Sequence, residues 1–244
     1  MTLTIDIGNT AIKYAVFDND GTMLQYGRTE GHDDVSAILR LCTDYAPEHA
    51  IIASTADVSR RVQDEIGALA KHTVVLDSAT PLPIENLYHT PQTLGKDRLA
   101  AAVAAFDQTH GDTLIIDVGT AITYDFINCN GQFLGGNISP GVNLRFMALK
   151  EHTAKLPLIS AEGCHPEYGC DTETAIRCGV LDGISCEIQG YIRKFSLKYP
   201  NLSVFLTGGD QIYFDEAIKK RTFADKYLVL KGLFLIMQYN INAD

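Results

Sequence analysis

Two short segments of the sequence place an acidic residue and a glycine directly after an apolar run. In LTIDIGNT, Asp6 is followed by Gly8, and in LIIDVGTA, Asp117 is followed by Gly119. A turn through glycine lets consecutive backbone N–H groups point into one concavity, which can bind phosphate oxygens without cationic side chains. An aspartate beside phosphate is suited to hold a cation, directly or through water. A plain β-hairpin is the alternative for each segment, but two copies in corresponding places favour phosphate binding.

The cysteines offer a second kind of chemistry. The six cysteines include no CxxC pair, but the stretch CHPEYGC contains Cys164, His165 and Cys170 as candidate ligands for a soft metal. Their spacing matches no usual zinc pattern, and no fourth ligand is evident in the sequence. We therefore interpret them as loop residues with reduced thiols, which suits a cytoplasmic protein.

The elements that must position the two turns repeat along the chain. The apolar stretches LTIDI, YAVF and MLQY predict three antiparallel strands, and a helix, the strand AIIAST, the helix SRRVQDEIGALAKH and the strand TVVLD follow them. TLIIDVG, AITYDFI and QFLGGNI begin the same plan again, and a helical region and a long helix from about Thr172 to Lys198 follow them. The strands LSVFL and KYLVL and an apolar terminal helix through GLFLIMQYN complete the chain. This pattern predicts two βββαβαβ domains, at residues 1–110 and 111–244.

Composition limits the partners of the protein. The chain has 244 residues, of which 46% are hydrophobic and 20% charged, as in an ordinary globular protein with ample material for a core. Its formal charge of -10 disfavours binding to nucleic acid or to an anionic membrane. The N-terminus resembles no targeting segment, and the apolar run LFLIM is far too short to cross a bilayer. We expect a cytoplasmic protein with neither a nucleic-acid nor a membrane partner.

The duplicated Asp–Gly turns resemble those of the superfamily of acetate and sugar kinases, Hsc70 and actin. Within that superfamily, DIGNT, GKDR, DVGTAIT, GGNISPG, TGGD and the closing LVLKGL look like type III pantothenate kinase, from residue 2 to about residue 240. The resemblance implies an α/β fold of two ribonuclease-H-like (actin-like ATPase) domains with ATP in the cleft between them. The implied reaction is ATP-dependent phosphorylation of pantothenate to 4'-phosphopantothenate, the first step of coenzyme A biosynthesis.

The resemblance also implies a set of ATP and cation contacts. Asp6 is expected to face the Mg²⁺ that accompanies ATP, and Asp117 a monovalent cation, K⁺ or NH₄⁺. For Lys13 the alternative is a solvated strand lysine. The residues expected around ATP are Asp6, Ile7, Gly8, Asn9, Thr10, Ala11, Ile12, Lys13 and Thr120. Gly135, Gly136 and Gly141 are expected to let the backbone approach the ligand, and Gly208 and Gly209 are expected to lie near the nucleoside.

Pantothenate offers a primary hydroxyl as nucleophile, and the resemblance names Asp97 as the acceptor of its proton. The alternative for Asp97 is to cap a helix starting at Leu99, and both roles are compatible. Arg98 offers a planar set of donors for a carboxylate or phosphate, or else a surface salt bridge. The resemblance implies that the pantothenate contacts are Tyr88, Gly95, Lys96, Asp97, Arg98 and Thr172. Without it, Tyr88 is a loop aromatic and Thr172 a helix cap.

Two further implications concern assembly and alternative functions. The family builds its pantothenate pocket across two subunits, so we expect a homodimer that binds ATP and pantothenate. A regulator of the Bvg accessory factor type is the alternative from another class. The residues that favour the enzyme are Asp6, Asp97, Arg98 and Asp117. A kinase or phosphatase of the same fold that acts on another small substrate is the third possibility.

Overall fold

The computed structural model describes residues 1–29, 31, 35–55, 65, 69–214 and 222–242. The chain forms two compact units. The first comprises Met1–Gln108, Gly131–Leu134 and Tyr227–Asp244, and the second comprises Thr109–Asn130 and Gly135–Lys226. No helix in these described ranges has both the length and the hydrophobicity that a membrane crossing requires.

The first unit is built on a five-stranded sheet. Its strands are β1 (Thr2–Ile7), β2 (Ile12–Phe17), β3 (Met23–Arg28), β4 (His49–Ser54) and β5 (His72–Val75), in the order β3-β2-β1-β4-β5. Strand β1 is antiparallel to β2 and parallel to β4. The helix α1 (Ser36–Tyr45) connects β3 to β4, and its Ile38 joins the core formed by the apolar residues of β1, β2 and β4.

The second unit repeats this strand order. Its strands are β7 (Thr113–Val118), β8 (Ala121–Ile127), β9 (Gln132–Pro140), β10 (Ser203–Thr207) and β11 (Phe223–Ala224), in the order β9-β8-β7-β10-β11. Strand β7 is antiparallel to β8 and parallel to β10, as β1 is to β2 and β4. Helices α3 (Val142–Glu151) and α4 (Thr172–Lys198) connect β9 to β10. The duplicated sheet plan is therefore confirmed.

The linking segment contains more structure than the sequence predicts. A two-residue strand, β6 (Glu85–Asn86), pairs in parallel with Gln132 and Phe133 at the start of β9. These residues belong to the first unit, whereas β9 from Gly135 onward belongs to the second. The alanine-rich helix α2 (Lys96–Thr109) follows, and its residues from Arg98 to Ala105 are buried. The predicted helix SRRVQDEIGALAKH falls largely outside the described residues.

The end of the chain differs from the sequence expectation. KYLVL is predicted as a strand, but Leu228–Ile241 form the helix α5, and the strand here is only β11. The predicted terminal helix through GLFLIMQYN is confirmed as the rest of α5. A short apolar run fits either a strand or a buried helix, so periodicity could not separate them. The predicted second domain extends to residue 244, whereas α5 belongs to the first unit. It packs on β1 and β4, Phe234 stacks on Phe17 at 4.9 Å, and Gly232 lies against the backbone of Ala100.

Candidate active site

The first Asp–Gly segment forms the turn between β1 and β2. Asp6 is only 4% exposed, and its register partner on β2 is Lys13. Directly opposite residues of an antiparallel pair place their side chains on the same face, so an acidic and a basic group are neighbours here. The Gly8 N–H donates to the Ala11 carbonyl oxygen at 3.2 Å and closes the turn. Asn9 and Thr10, expected around ATP, are exposed at its tip, while Ile7, Ala11 and Ile12 are buried supports.

The second segment forms the corresponding turn between β7 and β8. The Gly119 N–H donates to the Ala121 carbonyl oxygen at 3.1 Å, as Gly8 does to Ala11. The register partner of Asp117 on β8 is Thr123. This residue is uncharged, whereas the partner of Asp6 in the first unit is the basic Lys13. A Cβ atom on Gly119 would lie 3.7 Å from Asp117 Oδ1, which shows that this carboxylate lies near the turn. Thr120 is exposed at the tip.

Two glycines from distant parts of the chain pack against the second turn. The Gly141 N–H donates to Thr120 O at 3.0 Å, and a Cβ atom on Gly141 would overlap Gly119 O and lie 2.6 Å from Thr120 O. Gly208 has a φ of +98° and lies against the backbone of Val118. Both positions require glycine because a side chain there would overlap the protein's own backbone. A ligand close to these glycines is not needed to explain the residue type.

A polar network on β8, α3 and α4 supports the segment that leads to Gly141. Arg145 donates from Nε to Pro140 O at 2.8 Å and from Nη2 to Ser139 Oγ at 2.8 Å. Its Nη2 atom also donates to Glu187 Oε2 at 2.5 Å, and the Tyr124 hydroxyl donates to Glu187 Oε1 at 3.0 Å. Burial alone would raise the pKa of the Glu187 carboxyl, but hydrogen bonds from Arg145, Ser139 and Tyr124 hold that pKa below its usual value of 4.5.

Glu187→Gln is expected to lower the melting temperature. The difference in melting temperature between the variant and the wild type should be largest at neutral pH and should become smaller in acid. The folded-state pKa of Glu187 lies below the unfolded-state value, so its carboxylate stabilises the fold fully above the unfolded pKa. That stabilisation is lost as the pH falls through the folded pKa. Melting curves from neutral to acidic pH measure the effect, with the exposed Glu151→Gln as control. A difference that is the same at every pH would contradict a role for the Glu187 charge.

Asp97 lies at the start of α2, in the first unit. The helix begins at Lys96, so Asp97 stands inside its first turn, and the expected capping position before Leu99 is wrong. Its Oδ1 atom instead accepts a hydrogen bond from the Arg98 N–H at 2.8 Å. A Cβ atom on Gly95 would lie only 2.5 Å from that oxygen, so glycine leaves room for the carboxylate. Lys96 donates from Nζ to Pro91 O at 3.2 Å, which ties the helix start to the preceding loop.

Tyr88 and Arg98, ten positions apart in the sequence, lie together in the first unit. The Arg98 guanidinium carbon lies 5.7 Å from the centroid of the Tyr88 ring, within the range of a cation–π interaction. Tyr88 also packs against Phe133 at 6.4 Å between ring centroids. Arg98 is only 6% exposed, which rules out the surface salt bridge considered from the sequence. A buried guanidinium provides a strong site for an anionic group of a ligand.

Thr172 lies in the second unit and is exposed at the first residue of α4. It is not the helix cap suggested by the sequence alone. The cap is Asp171, whose side chain accepts from the Thr174 N–H at 2.8 Å, while Thr174 Oγ1 accepts from the Asp171 N–H at 3.2 Å. Because Asp171 satisfies the helix end, the side chain of Thr172 is not required for that purpose.

The residues that sequence reasoning missed are those joined only by tertiary packing. Glu187 lies 63 positions from its partner Tyr124 and 42 positions from Arg145, and no local motif marks any of the three. The sequence analysis singled out Gly141 and Gly208 as candidate ligand-site glycines. The sequence did not predict that they contact the backbone of the second turn.

The chain is similar to known proteins along most of its length. A model of the type III pantothenate kinase family matches residues 2–194. The chain is 50% identical to a type III pantothenate kinase of Bacteroides fragilis over 242 residues, which cover 98% of both chains. Among solved structures, it is similar to a protein of the Baf transcriptional-activator family from Campylobacter jejuni, with a TM-score of 0.64 and 22% identity over 98% of this chain and 99% of that one.

A second similar structure is a ROK family glucokinase from Streptomyces griseus solved with glucose and AMPPNP. The TM-score is 0.57 and the identity 14%, over 98% of this chain and 99% of that one. Identities this low show the fold alone, which is the two-domain fold of the actin-like ATPases and sugar kinases. The full-length similarity in sequence is more specific. With its duplicated sheets and paired Asp–Gly turns, the chain belongs to the type III pantothenate kinase family.

Proposed function

We propose that this protein transfers the γ-phosphoryl group of ATP to the primary hydroxyl of pantothenate, giving 4'-phosphopantothenate, the first step of coenzyme A biosynthesis. The observation that carries the proposal is the 50% identity to a named type III pantothenate kinase along nearly the whole of both chains. The similarity to a Baf-family activator is one of fold alone and does not favour a regulator. The free thiols of all six cysteines suit a reducing compartment, and we propose the cytoplasm.

The exposed tips of the two turns are proposed to bind ATP phosphates. In the first turn, the backbone from Asp6 to Ile12 and the Lys13 side chain would surround phosphate oxygens, and in the second, Thr120 would do so. The matching hydrogen bonds of Gly8 and Gly119 support a shared role for the turns. Since the chain carries a charge of -10, such local donors have to hold the phosphates against the overall charge.

Kinases of this kind use ATP together with a divalent metal, which neutralises charge on the phosphates. We propose Mg²⁺ as that ion and Asp6 as the residue that faces it. The fit rests on donor chemistry, because a carboxylate at a strand end supplies the hard oxygen ligand that Mg²⁺ requires. What the chain itself contributes is orientation: Asp6 is buried in β1, so its carboxylate is fixed by the sheet.

Asp97 is proposed to orient the pantothenate hydroxyl and to accept its proton while the γ-phosphoryl group departs. Its place in the first turn of α2, where backbone N–H groups favour negative charge, supports an ionised carboxylate that is ready to accept. The buried Arg98 is proposed to bind an anionic group of the substrate, with Tyr88 beside it. Gly95, Lys96 and Thr172 complete the proposed substrate contacts.

Activity is expected to require a monovalent cation in addition to Mg²⁺. Asp117 lies beside a turn proposed to bind phosphate, and an acidic group there needs a cation to lower its repulsion of ATP. Rates measured in K⁺, NH₄⁺ and Na⁺ buffers at equal ionic strength should be high with K⁺ or NH₄⁺ and low with Na⁺ alone. Equal rates in all three would contradict the proposal for Asp117.

We also propose that the active form is a homodimer, because Thr172 is exposed on α4 and fits a position that the family contributes at a shared pocket. Sedimentation velocity of the protein at assay concentration should show a dimer of the 26.7 kDa chain. Full activity of a species that sediments as a monomer would remove the basis for a shared pocket.

The reaction itself is tested with purified protein, ATP, Mg²⁺ and K⁺, and a panel of small hydroxyl compounds that includes pantothenate and several sugars. Product mass should show one added phosphoryl group on pantothenate, with ADP formed in equal amount. Phosphorylation of another compound with pantothenate untouched would overturn the substrate assignment and leave the kinase assignment intact.

A further inference from the structure

A separate group of metal-ligand side chains lies beside α4. His165, Cys178 and Asp182 each offer one ligand atom, and these three atoms all lie within 4.8 Å of one another. His165 Nε2 is 3.0 Å from Asp182 Oδ1. Cys178 and Asp182 are four residues apart in α4, so they occupy the same face of the helix one turn apart. None of the three has a proposed role in phosphoryl transfer.

The loop that carries His165 is fixed to α4 by the neighbouring Arg177. This side chain is 2% exposed, and it donates from Nε to Ser160 O at 3.1 Å and from Nη1 to Cys164 O at 3.0 Å. Its Nη2 atom also donates to Glu173 Oε1 at 2.6 Å, which orients the guanidinium. The carbonyl directly before His165 is therefore held in place, and the imidazole is positioned over the helix without any metal.

Cys178 makes a second connection between the helix and the loop. Its thiol is 6% exposed and donates to Pro166 O at 3.1 Å, on the other side of His165 in the sequence. The loop is thus held on both sides of His165. The sequence had suggested Cys164, His165 and Cys170 as a group, but Cys170 donates to Tyr168 O at 3.3 Å within the loop, and the helix supplies the partners of His165 instead.

We propose that His165, Cys178 and Asp182 form a Zn²⁺-binding site with water as the fourth ligand. Nitrogen, sulfur and oxygen donors together suit Zn²⁺, whereas Mg²⁺ and Ca²⁺ prefer oxygen alone. In a tetrahedral site with bonds of about 2.0–2.3 Å, ligand atoms lie about 3.3–3.8 Å apart. The atoms here lie within 4.8 Å of one another, and His165 Nε2 and Asp182 Oδ1 are 3.0 Å apart, so each pair is within about 1 Å of this spacing. On binding, the Cys178 thiol would release its proton to solvent and give up its hydrogen bond to Pro166 O. The resulting thiolate and the Asp182 carboxylate balance the charge of the ion, and the bound ion would fasten the loop to α4 in place of that hydrogen bond.

The full-length protein, freed of metal with a chelator, would be titrated with Zn²⁺ and then with Co²⁺ as a spectroscopic probe. We expect one Zn²⁺ bound per chain, a higher melting temperature with Zn²⁺, and a Co²⁺ complex with a thiolate-to-metal charge-transfer band and tetrahedral visible bands. A Co²⁺ spectrum without the thiolate band, or no binding of either ion, would overturn the proposal.

Variants assign the ligands. Cys178→Ser should abolish the charge-transfer band. His165→Gln and Asp182→Asn each remove a direct ligand and should weaken Zn²⁺ binding by more than the roughly 10–100-fold that loss of an outer-shell partner typically costs. His165 and Asp182 have exposed side chains, so their variants keep the test valid where loss of the buried Cys178 thiol impairs folding. Cys186→Ser, an exposed cysteine on the same helix, should bind Zn²⁺ as the wild type does. Unchanged Zn²⁺ affinity in the His165 and Asp182 variants, or loss of binding in Cys186→Ser, would refute the site.

Discussion

Asp97→Asn is expected to lower kcat by about 10²–10⁴-fold, the usual effect of removing a general base, while ATP binding and the melting temperature stay near their wild-type values. The amide has the size of the carboxylate, and its oxygen can still accept from the Arg98 N–H as Asp97 Oδ1 does at 2.8 Å. It therefore keeps the local structure at the start of α2 and removes only the ability to take a proton. Steady-state kinetics, ATP titrations and thermal melts would be measured on the same preparations.

Asp97→Ala is the matched comparison, because it removes the acceptor for the Arg98 N–H together with the proton acceptor. It should lose as much turnover as Asp97→Asn and some melting temperature as well. If the proton leaves late in a loose transition state, part of the loss in Asp97→Asn will be found in the affinity for pantothenate. An Asn variant with normal turnover would assign Asp97 a purely structural role, and another group would have to orient the hydroxyl.

Gly141→Ala is expected to displace the second turn and to reduce both stability and activity. The added methyl group would overlap Gly119 O and lie 2.6 Å from Thr120 O, and both are backbone atoms that cannot rotate away. Overpacking of this kind typically destabilises a protein by about 1–3 kcal/mol. A shift of about 1 Å in a group that positions substrate can lower the rate by about 10²-fold. Urea unfolding and kcat/KM for ATP report the two effects separately.

Gly190→Ala is the control for this substitution. Gly190 lies in α4 of the same unit, has no proposed ligand contact, and a Cβ atom there would meet nothing within 4 Å. We expect wild-type activity and equal or slightly higher stability, because alanine in a helix is favoured over glycine by about 0.5–1 kcal/mol. If Gly141→Ala were as stable and as active as Gly190→Ala, the second turn would tolerate movement, and its proposed contact between Thr120 and phosphate would lose its structural basis.

Local patterns in the sequence predicted most of the repeated architecture. Alternating apolar residues marked β1, β2, β7 and β8, and the glycines after Asp6 and Asp117 marked the turns between them. These elements are decided by side-chain period and turn chemistry over a few residues, which a single sequence displays directly. The long helix α4 was predicted from Thr172 to Lys198, and the structure has the same limits.

Tertiary packing decided what the local pattern left ambiguous. The run YLVL fits a strand or a buried helix, and it became α5 because its apolar surface meets β1, β4 and the backbone at Ala100. That packing also placed the end of the chain in the first unit. Arginine is a residue type that is usually exposed. Arg98 is nevertheless buried beside Tyr88, because the segment before α2 folds back over the start of the helix.

The sequence by itself determined the duplicated sheets, the two acidic turns and the resemblance that names a reaction, since each depends on residues close together in the chain. Only the tertiary structure decided what surrounds them. Gly141 and Gly208 contact the second turn, Glu187 joins Tyr124 and Arg145, and His165 meets Cys178 and Asp182. These contacts join residues many positions apart, and one sequence records the types of such residues but not which of them will meet.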